Sequence, residues 1–278
     1  MKNNPNSCRS VLYGSAFGRL VLRLAVKLHS ESWITRFLRS PRSRPFLLLY
    51  AKLHDVPLSR RELLQYRSFR DFFARVSEPV EIDTTPGHLI SPVDGALSAC
   101  TITESSIFPI KGSSYRLSDL LTDERLRNNY IDGTCLIFRV SPADCHRFSY
   151  VDDGYQGWIH TIPVCRFSLG QSGTRGKESV LPLHRRSWCL MATEHFGPVV
   201  QTEIGALMLG SIVNKHENAR VLRGSEKGHF ELAGSTVVLL FEKDRVSLLP
   251  RLKTELECVK EVQVKRGMWI ASQEDESR

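Results

Sequence analysis

The chain has 278 residues, 41% of them apolar and 24% charged. This excludes a disordered or fibrous protein and suffices for one sizeable core with a helical appendage. The formal net charge is +8, and the excess is confined to residues 1–45, where Lys2, Arg9, Arg19, Arg23, Lys27, Arg36, Arg39, Arg42 and Arg44 face a single acid, Glu31. A patch so localised suits an anionic surface, either nucleic acid or anionic lipid.

Residues 11–28 read as a helix on which Arg19, Arg23 and Lys27, four apart, form one basic stripe beside Leu20, Val21, Leu24 and Leu28. The same basic residues interrupt the segment too often for a membrane span, and no clean apolar run leads to a signal cleavage site. Further helices are expected at residues 31–39, at 46–53 behind Pro45, at 59–65 and at 68–76. This segment reads as an interfacial anchor, with arginines toward headgroups and Leu, Phe and Trp33 toward the acyl boundary. The alternative is a helical layer packed on a catalytic core, and one segment can be both.

After Pro86 the texture changes to short runs rich in Val, Ile and Thr, separated by Gly, Pro and Asp turns. HLISPVDGALSAC, TCLIFRVSP, GWIHTIPV, SWCLMAT, PVVQTEIGALMLGSIV and STVVLLFE are all strand-like, and LECVKEVQVKRG (256–267) alternates as a strand does. Helical signal is scarce here apart from residues 117–127. The expectation is an α+β fold, an N-terminal helical layer (1–76) packed on a mixed, mostly antiparallel β core (77–278). The seven cysteines, at 8, 100, 135, 145, 165, 189 and 258, include no CxxC pair. They read as reduced thiols in a reducing compartment, without a zinc site or a disulfide framework. No glycine-rich nucleotide fingerprint is present.

Three segments carry chemistry. In GHFELAGSTVVLLFE (228–242), Gly234 and Ser235 stand immediately before a strongly apolar strand. In LISPVDGAL (89–97), Asp94 sits at an Asp-Gly turn, where it either only shapes a hairpin or orients a catalytic group. In FRVSPADCHRFSYVDDG (138–154), His146 lies in a polar segment with Asp144, Arg147, Asp152 and Asp153 nearby. Each alone is a weak signal with an ordinary structural explanation.

Together, and in this order, they resemble the phosphatidylserine decarboxylase family. The likeness extends through SFRDFFAR (68–75), KGSSYRLSDLL (111–121), HFGPVVQTEIGALMLGSIVN (195–214) and VLRGSEKGHF (221–230). It implies a self-cleaving enzyme in which Ser235 attacks the Gly234 carbonyl, giving a β chain (1–234) and an α chain (235–278) that begins with a pyruvoyl group. It also implies that Asp94 belongs to a charge-relay set and that His146 handles substrate or protons during decarboxylation. The pyruvoyl carbonyl would take up the amine of phosphatidylserine as a Schiff base, carbon dioxide would leave, and phosphatidylethanolamine would be released, with no metal and no pyridoxal phosphate. The partners implied are phosphatidylserine in a membrane and the chain's own two fragments. Nucleic acid is not among them, and a homodimer is compatible. The location implied is peripheral on a membrane, on the cytoplasmic side in a bacterium.

One position departs from the family's pattern. The motif's second histidine, usually the relay base, is replaced by Ser149, and a serine is no general base at neutral pH. His160 in GWIHTIPV is the first candidate to replace it, if an antiparallel return brings it beside Ser149. His146 serving both steps is the alternative. Rival readings are a pyruvoyl-dependent decarboxylase of a soluble amino acid, a serine hydrolase using Ser235 and Asp94 (which lacks GxSxG), and an inactive membrane-surface binding protein.

Overall fold

The computed structural model describes residues 36–54, 56–75, 80–163, 184–205, 212–231 and 235–274. The expected helix at 11–28 therefore lies outside the described residues. So does Gly234.

The helical layer begins with a short 3-10 turn, Pro41–Ser43, and runs into α1 (Arg44–Leu53), where Pro45 occupies the first turn, the one place in a helix that tolerates a missing N–H. Helix α2 (Arg60–Leu63) is opened by a reciprocal cap: the Glu62 N–H donates to Ser59 Oγ and the Ser59 N–H to Glu62 Oε2. Helix α3 (Phe69–Phe73) is capped by Ser68, whose Oγ accepts from the Asp71 N–H at 3.1 Å. Leu47, Ala51, Val56, Leu63, Phe72 and Phe73 form a small apolar core of their own under these helices.

The remainder is β-rich. Its strands are β1 (His88–Ile90), β2 (Gly95–Thr101), β3 (Ile107–Ile110), β4 (Ser113–Arg116), β5 (Thr134–Val140), β6 (Arg147–Ser149), β7 (Gly154–Gln156), β8 (His160–Ile162) and β9 (Arg186–Thr193). They continue with β10 (Pro198–Ile204), β11 (Ile212–Asn214), β12 (Ala219–Val221), β13 (Glu226–Phe230), β14 (Ser235–Phe241), β15 (Val246–Leu248), β16 (Val262–Val264) and β17 (Trp269–Gln273). Two short helices, α4 (Leu117–Leu120) and α5 (Glu124–Arg127), fall where helical signal was expected.

Among the described residues, a nine-stranded sheet runs β12-β7-β9-β10-β14-β5-β2-β16, with β8 also on β9. Two three-stranded sheets, β11-β13-β6 and β1-β17-β15, and the β3-β4 hairpin complete the fold. Every described pairing is antiparallel. Strand β14 lies at the centre of the large sheet and all seven of its residues are buried, so its apolar run does not alternate. Val237, Leu239 and Phe241 face one core with Leu136, Phe138, Phe148 and Phe230. Val238 and Leu240 face a second core with Phe108, Tyr115 and Trp188.

The architecture is thus the expected α+β one, with one local correction. Residues read as part of a strand from 256 onward begin inside a helix, α6 (Pro250–Cys258), and only Val262–Val264 pairs as strand β16. Pro250 at the helix start and buried Leu252 explain the helix.

Candidate active site

Ser235 is the first residue of β14 and pairs with Val140 of β5, while Thr236 pairs with Ile204 of β10 on the other edge. Backbone pairing of β14 on both edges therefore fixes the strand that begins with this hydroxyl-bearing residue. One strand beyond β5, Ala96 pairs with Arg139, which places Asp94 and Gly95 at the same end of the sheet as Ser235. Gly95 is required there, since a methyl group in its place would stand 2.6 Å from the Arg139 carbonyl oxygen and 3.4 Å from Val140 Cα. Asp94 is nearly buried, and its Oδ1 accepts from the Arg266 N–H at 2.9 Å, a contact reaching from the C-terminal part of the chain.

His146 is wholly buried just before β6. Its Nδ1 lies 2.9 Å from the Asp144 carbonyl oxygen, which can only accept, so Nδ1 carries the proton and Nε2 is left with its lone pair. Nε2 is buried and without a hydrogen-bond partner among the described residues. Burial, with the nearby Arg75 and a smaller effect from Lys111, pushes this imidazole down to about 3, so it is neutral at physiological pH. Lys111 ties the neighbourhood to the end of β10: its Nζ donates to the carbonyls of Ile204 at 2.9 Å and Gly205 at 2.6 Å. The Phe230 N–H donates to the His146 carbonyl at 2.9 Å, so the histidine's backbone is bonded to the strand that leads toward Ser235. Phe73 of α3 packs edge-on against its ring at 4.7 Å.

Ser149 is also wholly buried, with an Oγ that has no partner among the described residues. Its N–H donates to the Pro92 carbonyl at 2.9 Å, two residues before Asp94. The three motifs thus converge: the SPVDG segment touches Ser149, the SPADCHRF segment touches β13, and β13 leads to Ser235.

His160 does not join them. Its strand, β8, returns onto β9, where His160 pairs with Trp188 and stacks on its ring at 4.2 Å. Ser149 pairs instead with Glu226 of β13, in another sheet. From β8 to β14 is three strand steps, roughly 14 Å at about 4.8 Å each, and the row through Trp188 and Thr202 meets β14 at Val238, not at Ser235. The expected antiparallel return of His160 onto Ser149 therefore does not form. The turn after Asp153 feeds β7, and β7 also pairs with β9.

A buried ionic ring, unread in the sequence, lies on the Ser235 face of the sheet. Lys227 of β13, with 0% of its side chain exposed, donates to Glu203 Oε1 at 2.7 Å and to Asn214 Oδ1 at 2.8 Å. It also makes a hydrogen bond with Cys189 and lies over the face of Phe148, 5.4 Å away. Ser187 Oγ donates to Glu203 Oε2 at 2.7 Å and accepts from Asn214 Nδ2 at 3.3 Å, closing the ring. Glu203 pairs with Val237, so the ring sits two residues along β14 from Ser235, on the same face, and joins β9 and β10 of the large sheet to β11 and β13 of the small one. Within the small sheet, Gly228 lets β13 lie close to β11: a methyl group there would lie 2.0 Å from the Val213 carbonyl oxygen. In the sequence Lys227 and Glu203 look like ordinary surface charges. Only their position on inward-facing strand faces would have flagged them, and that depends on register.

No group of three or more His, Cys, Asp or Glu side chains is arranged to hold a metal among the described residues. The site fits a cofactor made from the chain itself. A carbonyl formed at residue 235 would begin a strand paired on both edges, and the buried His146 Nε2 and Ser149 Oγ have no hydrogen-bond partner among the described residues.

The comparison with known proteins agrees with the geometry. The family model described as phosphatidylserine decarboxylase matches residues 69–270, a stretch that holds Asp94, His146 and Ser235. A phosphatidylserine decarboxylase proenzyme of Clostridium botulinum is 36% identical over 212 residues, covering 73% of this chain and 72% of that one. The proenzyme of Fusobacterium nucleatum is 34% identical across 84% of this chain and 81% of its own. Phosphatidylserine decarboxylase proenzyme 2 of Clostridium acetobutylicum is 31% identical across 99% of this chain and 94% of its own. With a matching model over residues 69–270 and relatives 31–36% identical across 73–99% of its length, the chain belongs to the phosphatidylserine decarboxylase family.

Proposed function

We propose that the chain is a self-processing carboxy-lyase that converts phosphatidylserine to phosphatidylethanolamine, with Ser235, Asp94 and His146 as its working residues. The observation that carries this reading is a neutral, buried His146 whose Nε2 lone pair has no partner among the described residues and whose backbone carbonyl is bonded to the end of β13, the strand that precedes Ser235 in the chain. His146 takes the proton from the Ser235 hydroxyl, with Asp94 orienting the proton-transfer set. The Ser235 oxygen attacks the Gly234 carbonyl and the peptide nitrogen leaves, so an ester replaces the amide. Loss of the Ser235 α-proton then breaks the Cβ–Oγ bond. The Gly234 carboxylate departs with that oxygen, and dehydroalanine remains at position 235. Water replaces its nitrogen, releasing ammonia and leaving the pyruvoyl carbonyl. The fragments are a β chain of residues 1–234 and an α chain of 235–278, with the division between helical layer and β core near residue 76.

The pyruvoyl carbonyl supplies an electrophile for the substrate amine and a sink for the electrons released with carbon dioxide. The protein holds that carbonyl rigid through β5 and β10, excludes water by burying Ser235 and His146, and passes protons through His146 Nε2. Asp94 stays tied to the Arg266 N–H, which belongs to the α chain, so the relay still joins the two fragments after cutting.

The lipid reading rests on the helical layer. No helix among the described residues is long and apolar enough to cross a membrane. Phe46, Leu49 and Leu53 of α1 are exposed, along one side of a helix flanked by Arg36, Arg42 and Lys52. This layer lies on the lipid surface, apolar side chains down and cations toward anionic headgroups. The free cysteines, including buried Cys135, Cys145 and Cys189, suit a reducing compartment.

The test is the mass of the purified protein. The wild-type chain should yield a small fragment of residues 235–278 with a pyruvoyl terminus, and Ser235→Ala should stay whole and lose all decarboxylation. An uncut wild-type chain with full activity on phosphatidylserine would refute the mechanism.

A further inference from the structure

The helical layer and the cut are far apart in sequence, and Glu231 is where they meet. Glu231 is the last described residue before 232–234, and its side chain is 2% exposed. Arg39 Nη2 donates to its Oε2 at 2.8 Å, and Arg70 of α3 pairs with its other oxygen. Both arginines are nearly half exposed, so the carboxylate is buried beneath two cations that reach over it from the layer.

The same layer grips the histidine segment. Arg75 Nη2 donates to the carbonyls of Ala143 and Asp144, at 2.7 and 2.6 Å, and Arg147 Nη2 returns a bond to the Ala74 carbonyl at 2.6 Å. Asp144 is the residue whose carbonyl sets the tautomer of His146. The Arg39–Glu231–Arg70 contact therefore belongs to a seam along which the helical layer fixes both the proton acceptor and the strand end that precedes the cut.

We propose that Arg39 and Arg70, acting through Glu231, are positioning residues for self-cleavage, so that seating of the helical layer is what brings the scissile segment into register. This deepens the reading of Gly234–Ser235 as the cut and rests on it. Ser235 is fixed by β14, and in the sequence only three residues separate it from Glu231. Attack by a side chain on its own preceding carbonyl needs the two atoms at about 3 Å with the right approach, and a misplacement of roughly 1 Å costs about a hundredfold. Releasing the upstream anchor should therefore slow the cut without abolishing it. The two arginines touch no reacting atom, and a mature enzyme, once cut, no longer needs them for this purpose.

The experiment is a time course of full-chain cleavage after a pulse of cell-free synthesis, for wild type, Arg39→Ala, Arg70→Ala, the double variant, Arg39→Lys with Arg70→Lys, and Glu231→Gln. The double alanine variant should cut about 10–100-fold more slowly, and the double lysine variant should recover most of that loss. In the Glu231→Gln background the arginine substitutions should add no further slowing, because the carboxylate through which they act is gone. Thermal melts in the uncut Ser235→Ala background separate positioning from unfolding, and the fraction that does mature should decarboxylate at the wild-type kcat. Wild-type cutting by the double alanine variant overturns the proposal. So does slowing that persists undiminished in the Glu231→Gln background, or slowing that merely follows a lower Tm. A wild-type chain cut elsewhere refutes the Gly234–Ser235 reading itself, and that failure is visible in the wild-type sample alone.

Discussion

Replacing Lys227 by methionine tests whether the buried ring holds the small sheet to the large one. Methionine keeps most of the side-chain length and its packing on Phe148, so the change is chiefly one of charge. It leaves Glu203 buried with its Oε1 stripped of a cation 2.7 Å away. Breaking a buried pair in this way costs about 3–5 kcal/mol, because the remaining carboxylate has been taken out of water without compensation. The double variant Lys227→Met/Glu203→Gln removes both charges and keeps the amide as a partner for the Ser187 hydroxyl, so it should return to within about 1–2 kcal/mol of the parent. The assay is guanidinium unfolding in the Ser235→Ala background, where a single uncut chain unfolds and the midpoint has a clear meaning. A single variant that loses less than about 1 kcal/mol, or a double variant no more stable than the single, would show that the ring carries no such coupling.

Three further outcomes follow from the same geometry. His146→Ala should block cutting, while His160→Ala, whose ring lies on Trp188 three strands away, should be cut at the wild-type rate in the same intact-mass assay. His146 and His184 are both held near 3 by burial, against about 6.5 when unfolded, so each contributes stability above pH 6.5 that is lost as pH falls toward 3. Unfolding midpoints between pH 6 and pH 4 should accordingly show a loss of about 1.4 kcal/mol per pH unit for each histidine, and a profile unchanged by His184→Gln would contradict the assignment of that group. Phe46→Ser with Leu49→Ser should reduce sedimentation with anionic vesicles while leaving the cutting rate alone, and high salt should weaken what binding remains.

What the sequence alone could determine was chemical identity and local conformation. Gly234–Ser235 before an unbroken apolar strand, Asp94 before an obligatory glycine and a histidine in a polar segment are readable because each depends on residues adjacent in the chain. The helices at 46–53 and 68–76 were readable for the same reason: a proline or a serine at the start and an apolar face close by. Strand partners and register were not, since a strand's period of two says which face is apolar and never which neighbour it meets. That is why His160, in a strand as plausible as any other, was expected beside Ser149 and lies instead on Trp188. It is also why Lys227, Glu203 and Glu231 read as surface charges. Their burial is decided by β10 pairing with β14, β13 with β6, and a helical layer folding back over both, contacts between residues scores of positions apart that only the tertiary structure brings together.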